Sequence, residues 1–252
     1  MRYKALICDV DGTLMLNKID GLPSRRVANA IDKAKKIVHV GIASARPLIY
    51  SNNLFDHLKL SGPSILVGGS LIVDAASRKV LHEKPINKED FAKICAILKR
   101  LNLTFFVNER NQQVLFSSSY KAKRPLDVYV PKLNTSMANS IQKEFLHLKT
   151  VIARKATDWD ASMFALGICD VKATKRHAII EVARLLNIKT EEIIGIGDGH
   201  NDISLLAACG LKVAMGNAVP EIKKIADYVA PSIDNDGVAH VIEKFILKNT
   251  SE

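Results

Sequence analysis

Short runs of consecutive apolar residues alternate with segments whose apolar positions recur every three or four residues, and the two patterns trade places along most of the chain. Tyr3 to Cys8, apolar on both faces apart from Lys4 near its start, reads as a buried strand covered on both sides of a parallel sheet. Ser24 then offers an N-cap to a helix reaching Lys36, with Val27, Ala30, Ile31 and Ala34 on one stripe. Val38 to Ala43 reads as the next strand, Pro47 suits the first turn of a helix to about Leu58, and Ile65 to Val67 reads as a third strand.

The last third of the chain repeats the alternation. Thr174 caps a helix to Leu186, followed by strand Ile193 to Ile196, helix Ile203 to Ala208 and strand Lys212 to Met215. Helix Pro220 to Ile225, strand Tyr228 to Ala230 and a final helix from Gly237 to Leu247 complete it. Strand and helix in alternation predict an α/β fold with a doubly wound parallel sheet, Rossmann-like in layout.

The middle breaks this rhythm. Between His82 and Ala165 the pattern predicts helix Asn87 to Leu101, strands near 104–107, 113–116 and 127–130, helix Ser136 to Leu146, then strands near 150–154 and 162–166. That is an α+β module set inside the α/β domain. The expected organisation is therefore a Rossmann-like core over residues 1–81 and 166–252, with an inserted α+β domain over 82–165.

Composition narrows the class. With 252 residues, 48% of them hydrophobic, the chain can bury a sizeable core. The four cysteines are scattered without metal-site spacing and are expected as reduced, buried thiols. No signal-like segment or membrane-length apolar run occurs, so a cytoplasmic protein with no membrane partner is expected. The net charge of +10 would suit nucleic acid, a membrane surface or an acidic small molecule. There is no tract of five basic residues, and only Tyr120 stands beside the densest stretch, 121–124, so nucleic acid is the weaker reading. The insert holds 14 Lys and Arg against 8 Asp and Glu, much of the excess.

The chemistry sits at two strand ends. Ala5-Leu6-Ile7-Cys8 runs straight into Asp9-Val10-Asp11-Gly12-Thr13, and carboxylates two apart in extended chain can face one pocket. An Asp-Gly turn is the plain structural reading of that stretch, and an EF-hand fails because Leu14 and Asp20 stand where its Gly and Glu belong. A second apolar strand ends on Gly197-Asp198-Gly199-His200-Asn201-Asp202. Ligands in open parallel sheets bind at the carboxyl ends of strands, so both acidic ends can meet at one site. Two carboxylates about 4 Å apart repel by about 4 kcal/mol at an effective dielectric of 20, so such a cluster calls for a cation. All-oxygen donors favour a hard ion, and Mg²⁺ is the usual one beside phosphate.

These motifs, in order, resemble the haloacid dehalogenase superfamily, specifically its Cof-type small-molecule phosphatases, across nearly the whole chain. The carriers are Asp9-Val10-Asp11-Gly12-Thr13-Leu14, Ala43-Ser44-Ala45-Arg46-Pro47, Lys175 at a helix start, the Gly197 to Asp202 stretch, and Val213-Ala214-Met215-Gly216-Asn217-Ala218. Ala226-Asp227-Tyr228-Val229 and Asp236-Gly237-Val238-Ala239 add an echo.

The resemblance implies a Mg²⁺-dependent phosphatase acting on a small phosphorylated metabolite, such as a sugar phosphate or phosphoglycolate. Asp9 would be the nucleophile that carries an aspartyl-phosphate, and Asp11 the general acid and base. Mg²⁺ would be held by Asp9, the Asp11 carbonyl and Asp198, with Asp202 in support. Phosphate would meet Val10, Ser44, Ala45, Lys175 and Asn201. The insert would be a cap that closes over the site and selects the leaving group.

The chain departs from the family in places: Arg176 follows the lysine, Lys172 lies three residues upstream of it, Ala45 replaces a glycine, and Gly68-Gly69-Ser70 stands where Asn-Gly-Ala is frequent. The basic insert suggests an anionic leaving group, with Arg110, Lys121, Lys123 and Arg124 as candidates against the plainer reading of a solvated charged face. Trp159 is expected to pack, and His200 is assigned no role. Two rival readings stay open, a phosphomutase of the same superfamily and a non-catalytic protein binding anions or nucleic acid. Monomer and dimer are both left open.

Overall fold

The computed structural model describes residues 2–16, 18, 20–158 and 162–248. Trp159 lies outside the described residues. The chain opens with β1 (Ala5–Cys8), α1 (Arg25–Ala34), β2 (His39–Ile42), α2 (Asn52–Leu58) and β3 (Pro63–Leu66). A hairpin, β4 (Leu71–Asp74) and β5 (Val80–Glu83), leads into α3 (Lys88–Arg100), β6 (Phe106–Glu109), β7 (Gln112–Leu115), β8 (Asp127–Leu133), α4 (Thr135–Glu144), β9 (Val151–Thr157) and β10 (Phe164–Asp170). The alternation resumes with α5 (Lys175–Leu186), β11 (Ile193–Gly197), α6 (Ile203–Leu206), β12 (Leu211–Ala214), α7 (Pro220–Ile225), β13 (Tyr228–Val229) and α8 (Gly237–Ile242).

Five strands form a parallel sheet in the order β13-β12-β11-β1-β2. The chain winds outward from β1 to β2 on one side and returns on the other through β11, so the order reverses at β1. Ala5 to Cys8 pair with Ile193 to Ile196 in strict register, which brings the carboxyl ends of β1 and β11 level. Both strands are fully buried, as their unbroken apolar runs require. A bridge from Ala43 to Ile65 attaches β3 to the far side of this sheet, and β3 heads a three-stranded antiparallel sheet with β4 and β5.

The helices follow local rules. Ser24 accepts the Val27 amide at the start of α1, whose Val27, Ala30, Ile31 and Ala34 are buried against the sheet. Asn87 caps α3, which carries Glu89 and Asp90 in its first turn and Lys99 and Arg100 in its last, matching the helix dipole at both ends. Thr174 caps α5, and Asn187 closes it in the left-handed region.

Residues 86–170 build a second antiparallel sheet, β7-β6-β8-β10-β9, with α3 and α4 packed on it. Their apolar side chains form a separate cluster around Ile94, Leu98, Val128, Leu133 and Ile168. The boundaries expected at 81/82 and 165/166 both fall inside strands. β5 extends to Glu83 in the core hairpin, and β10 stays in the insert's sheet to Asp170, so the crossings lie near 84–86 and 171–173. Lys84 and Asp170 meet there at 3.4 Å.

Three local expectations need correction. The helix after Pro47 is broken into a 3₁₀ turn at 48–50 and α2, because Ser51 sends its hydroxyl back to the Pro47 carbonyl. β3 ends at Leu66 because Val67 turns to a positive φ of 49°. The β4–β5 hairpin was not expected; its turn is held by Asp74, which accepts from both the amide and the hydroxyl of Ser77. All four cysteines are free and buried, and no helix among the described residues is long and apolar enough to cross a membrane.

Candidate active site

Asp9 follows β1 directly and Asp198 follows β11, so the level register of the two strands sets their carboxylates side by side. The turn between Val10 and Met15 is wound round one acceptor. The Val10 carbonyl takes the amides of Thr13, Leu14 and Met15, while the Val10 side chain is buried in the core. Gly12 sits at φ +85°, and a Cβ there would fall 2.3 Å from Asp198 Oδ2, so only glycine lets the turn lie against that carboxylate. Thr13 completes the seam by donating its hydroxyl to Asp198 Oδ1 at 2.7 Å.

Lys175 reaches this cluster from beneath. It is fully buried at the first turn of α5, and its ammonium donates to Asp9 Oδ1 and Asp202 Oδ1, each at 2.5 Å. The close packing of Gly69 on the Thr174 backbone, where a Cβ would meet the carbonyl carbon at 2.3 Å, brings the start of α5 this near the strand ends. Lys172 is exposed and its amide caps Asp170, so the two lysines have distinct places. Burial alone would lower the Lys175 pKa, but Asp202 and Asp9 outweigh it and hold the ammonium charged.

The carboxylates show the opposite strain. Burial, then the Asp202 charge, raises Asp9 well above the usual carboxylate range against the pull of Lys175. Burial and Asp202 push Asp198 up to about 7, with the Thr13 hydroxyl opposing. Asp9, Asp198 and Asp202 each offer an oxygen within 4.8 Å of the others. One ammonium does not balance three carboxylates, and this donor set of hard oxygens fits a divalent cation. Asp202 has both oxygens engaged, Oδ1 by Lys175 and Oδ2 by the Asp198 and Gly199 amides. Its part is to hold the lysine and the loop, which leaves Asp9 and Asp198 as the better ligands.

Above the cluster opens a cavity of about 510 Å³ lined by Asp9, Asp11, Ala45, Asp198 and Asn201 from the core, and by Asn108, Gln113 and Tyr129 from the insert. Ser44 and Lys175 do not line it. Ser44 is buried, with Oγ accepting the Arg46 amide at 3.0 Å. Arg110, Lys121, Lys123 and Arg124 are absent from its wall, and Arg110 and Arg124 both pair with Glu83 instead. The excess charge of the insert therefore does not face this site. His200 is exposed, 3.6 Å from Glu221.

Three contributors went unassigned in the sequence. Arg46 is buried and grips Asp11 with two hydrogen bonds, Nε to Oδ2 at 2.8 Å and Nη2 to Oδ1 at 2.5 Å. An arginine four residues past a buried strand end was the available signal. Asn217 lines the cavity, donates to the Gly12 carbonyl at 2.8 Å and accepts from the Ile233 amide, tying the loop after β12 to the acidic turn. Asn108 carried no signal, because its neighbours at the wall come from other strands.

Comparison with known proteins covers nearly the whole chain. The chain is 25% identical to the putative phosphatase YxeH of Bacillus subtilis over 97% of this chain and 99% of that one. It is 29% identical to the 5-amino-6-(5-phospho-D-ribitylamino)uracil phosphatase YcsE of the same organism, over 97% and 96% of the two chains. A solved haloacid dehalogenase-like hydrolase from B. subtilis shares the fold with a TM-score of 0.83 at 23% identity, covering 96% of this chain and all of that one. The haloacid dehalogenase-like hydrolase family matches residues 6–242, from the first buried strand to the last helix, and the chain belongs to that family.

Proposed function

We propose that this enzyme hydrolyses phosphate monoesters of small metabolites, through an aspartyl-phosphate on Asp9 and with Mg²⁺ as its metal. The observation that carries the reading is that Asp9 and Asp11 line one cavity in different surroundings. Asp9 is buried on the Lys175 ammonium, and Asp11 is partly open and held by Arg46.

An Asp9 carboxylate oxygen attacks phosphorus, the bond to the ester oxygen breaks, and Asp11, released from Arg46 and protonated from solvent, gives that oxygen its proton. The now ionised Asp11 takes a proton from water, whose oxygen attacks the same phosphorus and releases phosphate and free Asp9. Lys175 fixes the Asp9 carboxylate, and Asn201 with the Ala45 segment offers polar contacts to the phosphoryl oxygens. When bound by Asp9, Asp198 and the Asp11 carbonyl, Mg²⁺ supplies positive charge against the phosphoryl oxygens. Sugar phosphates and phosphoglycolate are the substrates to try first, and the ribityl phosphate in the name of one relative points the same way.

The test is release of inorganic phosphate from a panel of metabolite phosphates with Mg²⁺, with EDTA, and with Asp9→Asn. Metal-dependent release that disappears in Asp9→Asn supports the reading. Folded wild-type protein that releases no phosphate from any ester sinks it.

A further inference from the structure

The wall that the insert contributes to the cavity carries no charged side chain among the described residues; its polar members are Asn108, Gln113 and Tyr129. Two of these are engaged within the protein. The Tyr129 hydroxyl donates to Asp158 Oδ1 at 2.5 Å, and Gln113 Oε1 accepts from the Tyr50 hydroxyl at 3.4 Å.

Asn108 is different. It is 2% exposed, its Nδ2 donates to Asp127 Oδ1 at 2.6 Å, and its Oδ1 is buried without a hydrogen-bond partner. The orientation of that amide is dictated by chemistry, because a carboxylate only accepts and must face the NH₂ group. The carbonyl oxygen is thereby turned away from Asp127. A buried acceptor without a donor is costly, and a hydroxyl that reaches it through a slight give of the wall removes that cost. An anionic group could not do so, since it brings no hydrogen and finds no cation on this wall.

We propose that Asn108 Oδ1 is a specificity-determining acceptor for a hydroxyl on the organic part of the ester, and that Asp127 is the positioning residue that keeps this oxygen available. The proposal rests on the phosphatase reading above and deepens it: the preferred leaving group is an uncharged, hydroxylated alcohol. Asp127 is suited to the task. It lies on β8, beside the β6 strand that carries Asn108, and the two residues are register partners. Sites built to bind a substrate hydroxyl discriminate strongly against analogues that lack it, because the protein group is then left unpaired.

The experiment compares kcat/KM for ribitol 5-phosphate and pentyl phosphate, which share chain length and phosphate but differ in hydroxyls. The wild type is expected to prefer ribitol 5-phosphate by about 10–100-fold. Asn108→Leu should collapse that ratio to within about threefold of unity. Asp127→Asn should keep it, because its own amide oxygen can still accept from Asn108 Nδ2. Asp127→Val should lose it, chiefly through a higher KM for ribitol 5-phosphate. If Asn108→Leu does not fold, the contrast between the two Asp127 variants decides. A full ratio in folded Asn108→Leu, or identical behaviour of the two Asp127 variants, overturns the proposal. Equal turnover of both esters by the wild type overturns it too while leaving the phosphatase intact. Turnover of no ester in the wider panel would remove both readings.

Discussion

Arg46 and Asp11, 35 residues apart, are joined by a two-pronged ion pair at the mouth of the acidic cluster, with the guanidinium buried and the carboxylate partly open to the cavity. The fork occupies both Asp11 oxygens, so it holds the carboxylate in place between turnovers and must open before Asp11 can carry a proton to the ester oxygen. The Arg46 side chain also donates to the Lys18 carbonyl at 2.7 Å, so it anchors part of the loop that follows Asp11. Replacing Arg46 with Met should lower kcat by about 100-fold, the cost of a small misplacement of a catalytic group. Arg46→Lys should recover little of this, since an ammonium cannot form the fork. Steady-state kinetics on one good substrate checks both, and wild-type kcat in Arg46→Lys would show that charge alone suffices.

Lys175 provides a structural test. Removing one partner from a buried ionic cluster leaves charge uncompensated, at a cost of roughly 3–5 kcal/mol. Lys175→Met should therefore lower stability by about that amount in urea unfolding with EDTA present. Lys172→Met, at an exposed position, should leave it within about 0.5 kcal/mol of wild type.

Cation binding should register as stability as well as activity. A ligand that binds only the folded state at 100 times its Kd adds about 2.7 kcal/mol. MgCl₂ should thus raise the thermal midpoint by about 5 °C or more relative to EDTA. The rise should shrink strongly in Asp198→Asn, which removes one of the two available carboxylates. An equal rise in that variant would mean the ion binds elsewhere.

Asp127 predicts a pH dependence away from the acidic cluster. Burial pushes it up to about 6, against the pull of Asn108 and of the Arg154 charge. A carboxyl raised in the folded state gives stability that is complete below the unfolded value near 4 and is lost as pH rises to about 6. Two pKa units correspond to about 3 kcal/mol. Asp9 and Asp198, also raised by burial, lose stability over the same window, so Asp127→Asn should fall less steeply than the wild type, and the gap between their urea midpoints should change between pH 4.5 and 7.5. Parallel curves would contradict the assignment.

The two acidic strand ends were legible because buried parallel strands leave unmistakable apolar runs, and charge set directly after such a run stands out. Asp9, Asp11, Asp198, Asn201 and Lys175 were named in the sequence, and the fold brings all five to one place. What could not be read was pairing across distance. Arg46 stood in a quoted motif, yet its purpose depends on Asp11, and the acceptor on Asn108 depends on Asp127. Counting charge in the insert misled for the same reason. Arg110 and Arg124 turn to Glu83, a residue at the border of the core, and a sum over sequence does not show direction. The β4–β5 hairpin was missed because its strands are four residues each and its turn contains no glycine.

The meeting of Lys84 with Asp170 at 3.4 Å means that, to the core polypeptide, everything between them is one long loop whose two ends already touch. Such a loop can be lengthened, shortened or replaced without altering the path of a single core strand. Selection can then rewrite what the enzyme admits at that one seam while the chemistry beneath it is inherited unchanged.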